Sequence, residues 1–125
     1  MIMSECVFCN PTRKLIEENE LAFAIEDNFP VTKDHHLVIP KRHIDDYFNL
    51  EQSEINSINK ILFSLKDKLQ NKDKKITGFN IGINSGESAG QTIFHCHIHL
   101  IPRRVGDVKN PRGGVRGVIP GKQTY

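Results

Sequence analysis

The chain has 125 residues, of which 38% are hydrophobic and 26% are charged, and its formal net charge is +2. This length fits one domain with a modest core, and the composition is that of an ordinary soluble globule. No apolar run approaches about 18 residues, which excludes a membrane span, and the absence of Trp and of a basic stripe with interleaved aromatics argues against nucleic-acid binding.

The cysteines and the N-terminus bear on the compartment. Only three cysteines are present, and two of them form a Cys-x-x-Cys motif at Cys6 and Cys9, so the chain has no disulfide framework. Its first residues lack the basic start and apolar stretch of a secretory signal. We therefore expect a cytoplasmic protein.

The predicted elements follow an α+β order along one domain that covers residues 1–125. Residues 21–26 form a first strand, a turn follows at Asp27–Pro30, and a second strand covers His35 to Ile39 before Pro40. An amphipathic helix over 53–69 has apolar residues at helical spacing, and Asn49 with Gln52 resembles a capping box.

The second half of the chain predicts two more strands and a basic tail. Residues 78–84 and 93–101 read as strands, and the short loops between them favour antiparallel pairing. Residues 103–125 are predicted to be irregular and carry six Lys or Arg against one Asp, or +5, which leaves −3 on residues 1–102. This tail suits an anionic, phosphate-bearing substrate, although a solubilising role explains it equally well.

The alternation of residues 93–101 is the most informative pattern. Side chains of a strand alternate between its faces, so His95, His97 and His99 are predicted on one face. The other face then packs on the helix through Phe94, Cys96, Ile98 and Leu100. This arrangement leaves the three imidazoles in an open cleft.

Three interpretations of this histidine row are open: a structural row, a zinc site and a nucleophile with supporting histidines. Alternate strand residues are about 6.6 Å apart, so three ligands on one straight strand would strain a zinc site. We prefer the nucleophile, because an imidazole can attack phosphorus while a neighbouring histidine protonates the leaving group. Phosphate oxygens would find donors in the Gly86–Gly90 loop and in Asn84, Gln91 and Thr92.

Residues 95–101, His-Cys-His-Ile-His-Leu-Ile, resemble the signature of the histidine triad (HIT) nucleotide hydrolases and transferases. The resemblance extends to the Cys-x-x-Cys motif, to residues 21–27 and 35–43, and to Asn84. The stretches 86–92 and 102–107 look like the Fhit branch of that family.

This resemblance implies a fold and a set of roles. The fold would be a five-stranded antiparallel sheet with one long helix, pairing into a continuous ten-stranded sheet in a homodimer. His97 matches the nucleophile and His99 the proton donor, supported by His35 and His95. The substrate-binding residues would be Asp27 on the ribose hydroxyls, with Asn28 beside it, and Asn84, Gly90, Gln91 and Thr92 at the phosphates or leaving group.

The resemblance also implies a metal site, since some relatives with the N-terminal motif bind structural zinc. The matching ligands here are Cys6, Cys9, His43 and His95. Zinc accepts such a Cys₂His₂ set, and it would hold the triad segment in place.

The function that the resemblance implies is hydrolysis at the α-phosphate of an adenine nucleotide through a nucleotidyl-histidine intermediate. Diadenosine polyphosphates are the preferred substrates because of the Fhit-like loop. Three alternatives remain: a Hint-like purine nucleoside phosphoramidase, a nucleotide-binding interaction module with incidental turnover, and a zinc-dependent hydrolase.

Overall fold

The structure, a computed structural model, describes residues 5–125, which form a five-stranded antiparallel sheet and one long helix. The strands are β1 (Glu17–Glu18), β2 (Ala22–Glu26), β3 (His36–Pro40), β4 (Ile76–Gly82) and β5 (Ile98–Arg104), and the helix is α1 (Gln52–Lys72). Their spatial order is β1-β2-β3-β5-β4, with every neighbouring pair antiparallel. The predicted sheet and helix are confirmed.

The sheet is buried on both faces where β2 and β3 lie. Ala22 and Ala24 of β2 pack with α1, while Phe23 and Ile25 point to a second cluster. This second cluster, on the face of β2 and β3 away from the helix, comprises Cys6, Phe8, Phe23, Ile25, Leu37 and Ile39. The N-terminal segment therefore covers the face that α1 leaves open.

The triad strand differs from the prediction at both ends. It begins at Ile98 rather than at residue 93, and it continues past Pro102 to Arg104. The segment before it is held by contacts other than a strand ladder, since the Cys96 N–H bonds to the Ile44 carbonyl at 2.7 Å. Of the three histidines, only His99 therefore lies within the strand.

The apolar side of this region behaves as predicted except at one position. Cys96, Ile98 and Leu100 are buried against the helix, while Phe94 stays 42% exposed. β5 is the strand between β3 and β4, so this burial anchors the histidine segment in the middle of the sheet.

The helix starts at a capping box that the sequence analysis placed wrongly. Glu51 and Glu54 form it, instead of Asn49 and Gln52. The buried Glu54 carboxylate also accepts hydrogen bonds from the Arg42 guanidinium at 2.7 and 3.0 Å. This pair ties the start of α1 to the segment that carries His43.

Within residues 5–125, no helix is both long enough and apolar enough to cross a membrane.

Candidate active site

The three histidines at positions 95, 97 and 99 belong to two groups of packed side chains. The His97 and His99 rings lie 5.5 Å apart, and the His35 ring lies 5.1 Å from that of His99. His95 is fully buried and instead packs against His43, with their ring centroids 5.0 Å apart. The structure thus brings His35, His97 and His99 together and buries His95 beside His43.

Within residues 5–125, hydrogen bonding engages one ring nitrogen of His97 and leaves the other without a partner. Its Nδ1 lies 2.8 Å from the backbone carbonyl of His95. A carbonyl only accepts, so His97 carries its proton on Nδ1 and keeps the lone pair of Nε2. An imidazole held in this tautomer is a competent nucleophile.

His99 and His35 form a close pair beside the Asp27 carboxylate. His35 Nε2 lies 2.9 Å from His99 Nδ1, and Asp27 Oδ2 lies 3.4 Å from the same His35 nitrogen. Burial, together with His97 and His35, lowers the pKa of His99 to about 4. Burial also lowers the pKa of His35, against the opposing effect of Asp27. Both rings are therefore neutral at neutral pH.

The glycine-rich loop before the triad is shaped by Gln91. This buried side chain accepts from the Gly86 N–H at 2.9 Å and donates to the backbone carbonyls of Asp45 and Ile93 at 2.6 and 3.1 Å. Its polar atoms are therefore engaged within the loop. Gly90 has a φ of 91°, a left-handed conformation that glycine adopts without strain, and it lies beside the Asn84 amide. Thr92 is exposed.

Two depressions are lined by residues of the predicted site. The larger, about 990 Å³, is lined by His35, His99, Asn84 and Ser85 at its polar end. Its remaining wall is mainly apolar and comes from Phe48, β4, Ile101 and the 3₁₀ turn Gly114–Val118. The smaller, about 540 Å³, is lined by Asp27 and Asn28 together with Arg13 and Lys14.

The tail is more ordered than the sequence analysis expected. Arg103 donates to Asp107 and Asn80, Arg104 donates to Asp73, and the Arg112 and Arg116 guanidinium groups lie over the Tyr125 ring. These arginines are thus engaged within the chain, and the tail contributes a wall to the larger depression.

A separate group of possible metal ligands consists of Cys6, Cys9, His43 and His95. Their ligand atoms all lie within 4.8 Å of one another. The Sγ atoms of Cys6 and Cys9 lie 3.4 and 3.5 Å from His95 Nδ1, and Cys9 Sγ lies 3.1 Å from His43 Nδ1. Ligands about 2.0–2.3 Å from a shared zinc stand roughly 3.3–3.8 Å apart in a tetrahedron. His95 Nε2 lies 2.7 Å from the Pro40 carbonyl, so it carries the proton and leaves Nδ1 free to bind a metal. These residues fit a zinc ion.

Two partners of the histidines were missed by the sequence analysis. The Phe8 ring lies 5.0 Å from that of His97 and 6.0 Å from that of His95, so it packs against both histidines. The Val31 backbone N–H donates to His35 Nδ1 at 3.1 Å. The Val31 contact has no signal in the sequence, because any residue except proline carries an amide N–H.

Comparisons with known proteins place the chain among its relatives. The HIT domain profile matches residues 10–106. The HIT-like protein MG132 of Mycoplasma genitalium is 38% identical over 105 residues, which cover 80% of this chain and 74% of that protein. Adenylylsulfatase HINT3 of Arabidopsis thaliana is 37% identical over 115 residues, which cover 85% of this chain and 56% of that protein.

Solved structures of histidine triad proteins and of a nucleotide hydrolase are also similar to this chain. A zinc-bound histidine triad family protein from Mycobacterium smegmatis superposes with a TM-score of 0.78 at 32% identity, covering 87% of this chain and 82% of that one. Diadenosine triphosphate hydrolase of Plasmodium falciparum superposes with a TM-score of 0.72 at 29% identity, covering 79% and 67%. With the profile match over most of its length, the chain belongs to the HIT domain family.

Proposed function

We propose that this protein is a nucleotide hydrolase that cleaves at the α-phosphate of adenine nucleotides through a nucleotidyl group on His97. The observation that carries the proposal is the fixed tautomer of His97, whose Nδ1 is held by the His95 carbonyl while Nε2 stays free next to His99. This arrangement presents a nitrogen lone pair next to His99, and His99 lines a cavity large enough for a nucleotide.

The reaction consists of two displacements at the same phosphorus. His97 Nε2 attacks the α-phosphorus, and the bond to the bridging oxygen breaks with its electron pair departing on the leaving group. Water then attacks the same phosphorus, its oxygen becomes part of the AMP phosphate and its proton passes to solvent, while the P–N bond breaks and its electron pair returns to His97 Nε2. His99 contacts the phosphate or the leaving oxygen, while Asn84 and backbone N–H groups of the Gly86–Gly90 loop stabilise the charged oxygens.

The electrostatics of His99 favour an anionic leaving group. With its pKa lowered to about 4, this imidazole carries no second proton at pH 7 with which to neutralise an amine. A phosphate or sulfate departs as a stable anion and needs none. We take diadenosine polyphosphates as the first substrates because residues 86–92 resemble the Fhit loop, and a purine nucleoside phosphoramidase is the alternative.

Two relatives support this choice of leaving group. The Plasmodium falciparum neighbour is named a diadenosine triphosphate hydrolase, and the Arabidopsis thaliana relative an adenylylsulfatase. Both names describe adenylyl compounds with an anionic leaving group. Adenylyl sulfate is accordingly the second candidate substrate.

Product analysis of the purified protein separates these functions. We expect diadenosine triphosphate to yield AMP and ADP, with a higher kcat/KM than adenosine 5′-phosphoramidate. Turnover of the phosphoramidate alone would establish the phosphoramidase. No turnover of diadenosine triphosphate, adenosine 5′-phosphoramidate or adenylyl sulfate would leave a nucleotide-binding module.

Asp27 gives a test of substrate orientation. We propose that its carboxylate holds the ribose hydroxyls, because Oδ1 accepts the Phe29 N–H at 2.8 Å while Oδ2 keeps acceptor capacity beside the histidines. A charge-assisted hydrogen bond contributes about 1.5–3 kcal/mol, so Asp27→Ala should raise KM by roughly 10-fold to 100-fold with a smaller change in kcat. Steady-state kinetics measure this, with Asp27→Asn as the variant that preserves shape. An unchanged KM would remove Asp27 from the ribose site.

The edge strand supports a homodimer. Among the strands of residues 5–125, β4 is the outermost one next to β5, so we expect its outer backbone groups to be available for pairing, and Ile81 is 54% exposed. We propose that two copies of β4 join the sheets into ten continuous strands. Sedimentation should show a dimer that Ile81→Lys dissociates, with Phe63→Lys on the exposed face of α1 as the control. A monomeric wild-type protein at micromolar concentration would contradict this assembly.

A further inference from the structure

The loop between β2 and β3 holds a backbone donor against His35. The Val31 N–H donates to His35 Nδ1 at 3.1 Å. The loop itself is tied down, since Thr32 Oγ1 donates to the Pro102 carbonyl at 2.8 Å and the Asp27 N–H donates to the His35 carbonyl at 3.0 Å. The donor is therefore fixed in place relative to both β3 and β5.

This hydrogen bond determines where His35 carries its proton. A ring nitrogen that accepts from an amide N–H has no proton of its own, so neutral His35 is protonated on Nε2. The side chain is only 3% exposed, and its burial favours the neutral form. Its Nε2–H points to the next histidine of the cleft.

The tautomer of His35 determines the tautomer of His99. His35 Nε2 and His99 Nδ1 are 2.9 Å apart, a distance at which one nitrogen donates and the other accepts. Because Nε2 of His35 is the donor, Nδ1 of His99 is the acceptor. His99 then carries its own proton on Nε2, the nitrogen remaining for the substrate.

We propose that His35 is a positioning residue, through which the Val31 amide fixes His99 as an Nε2–H donor toward a substrate oxygen. The identity of that oxygen rests on the proposed function, whereas the tautomer of His99 does not. His35 therefore differs in role from His97, which has an uncommitted lone pair.

The same hydrogen bonds argue against a metal at this position. Asp27, His35 and His99 place their ligand atoms within 4.8 Å of one another, and two histidines with a carboxylate are a common metal-binding set. A metal would need the lone pair of His35 Nε2, which would move the proton to Nδ1 and set it against the Val31 N–H. The tautomer and a metal are thus mutually exclusive.

A pair of variants at His35 tests the inference. His35→Gln places an amide N–H₂ near the position of Nε2 and keeps a donor for His99, while His35→Phe keeps a ring without one. We expect His35→Phe to lower kcat by about 10-fold to 100-fold, with little change in KM, and His35→Gln to recover most of the loss. Long-range ¹H–¹⁵N spectra should show the Nε2–H form of His99 in the wild type and in His35→Gln, and a mixture of forms in His35→Phe.

A second pair isolates the backbone donor. Val31→Pro removes the N–H, whereas Val31→Ala retains it, so only the proline variant should shift the His99 ring nitrogens. The inference is overturned if the wild-type His99 is protonated on Nδ1, or if both His35 variants lose kcat equally. Selective broadening of the His35 and His99 ring signals by added Co²⁺ in the zinc-loaded protein would also overturn it.

The two proposals fail separately. The spectra need no turnover, so a wild-type protein that hydrolyses none of the tested nucleotides would refute the proposed function and leave the tautomer assignment to be decided by its own measurement.

Discussion

His97→Ala is expected to lower kcat for diadenosine triphosphate by about 10⁴-fold or more, because it removes the attacking nitrogen itself. The fold should survive, since the half-buried ring makes its hydrogen bond to the carbonyl of His95, two residues away. Rapid-mixing or steady-state kinetics measure the loss, and thermal melting checks the fold.

His36→Asn is a useful control for that result. His36 is buried on β3, and its Nδ1–H donates to the Asp34 carbonyl at 2.6 Å, a bond that the asparagine amide can replace. We expect this variant to keep most of its turnover. Near wild-type rates in His97→Ala would show that the nucleophile lies elsewhere.

Cys6→Ser with Cys9→Ser is expected to remove a bound zinc and to lower the free energy of unfolding by at least about 3 kcal/mol. The cluster of four possible ligands joins the N-terminal segment to His43 and His95, and the His95 carbonyl in turn holds His97. Loss of the metal should therefore weaken both the fold and the orientation of the nucleophile.

Metal analysis and thermal melting measure both effects, with Cys96→Ala as the matched control because Cys96 is buried in the helix-facing core and lies outside the four ligands. We expect about one zinc per chain in the wild type and in the control. Wild-type protein without metal that melts at the same temperature as the zinc-loaded form would contradict the structural role.

The number of possible zinc ligands argues against the hypothesis of a zinc-dependent hydrolase. Four protein ligands complete a tetrahedron, and catalytic zinc keeps one position open for water or substrate. Cys6, Cys9, His43 and His95 together supply those four ligands. A zinc ion bound by these four residues would therefore be structural, and we expect His97 to remain the reacting group.

The sequence predicted the parts of the fold that follow a local period. Apolar residues at helical spacing identified α1, and alternation placed Cys96, Ile98 and Leu100 in the core. The first residue of β5 could not be predicted from such a pattern. Residues 93–97 alternate like a strand, yet the Cys96 N–H bonds to the Ile44 carbonyl instead of to a neighbouring strand. The two-residue strand β1, formed by two glutamates, has no apolar pattern at all.

Some features of the candidate site were likewise predicted from the sequence, and others were not. The resemblance supplied the histidines and the four metal ligands, and the structure brings each group together. The burial of His95 beside His43 follows a bend at residues 93–95, which a period of two does not show. Gln91 was expected at the phosphates, yet its amide is engaged with the loop backbone, an outcome that depends on the loop's three-dimensional path.

The most direct test of the account is to quench the reaction of excess diadenosine triphosphate with the wild-type protein during its first turnovers and to locate any adenylyl group by mass spectrometry. The account predicts one adenylyl group per active chain, on His97, and none in His97→Ala. An adenylyl group on His99 or His35, or rapid turnover with no covalent adenylyl group at any time, would contradict it.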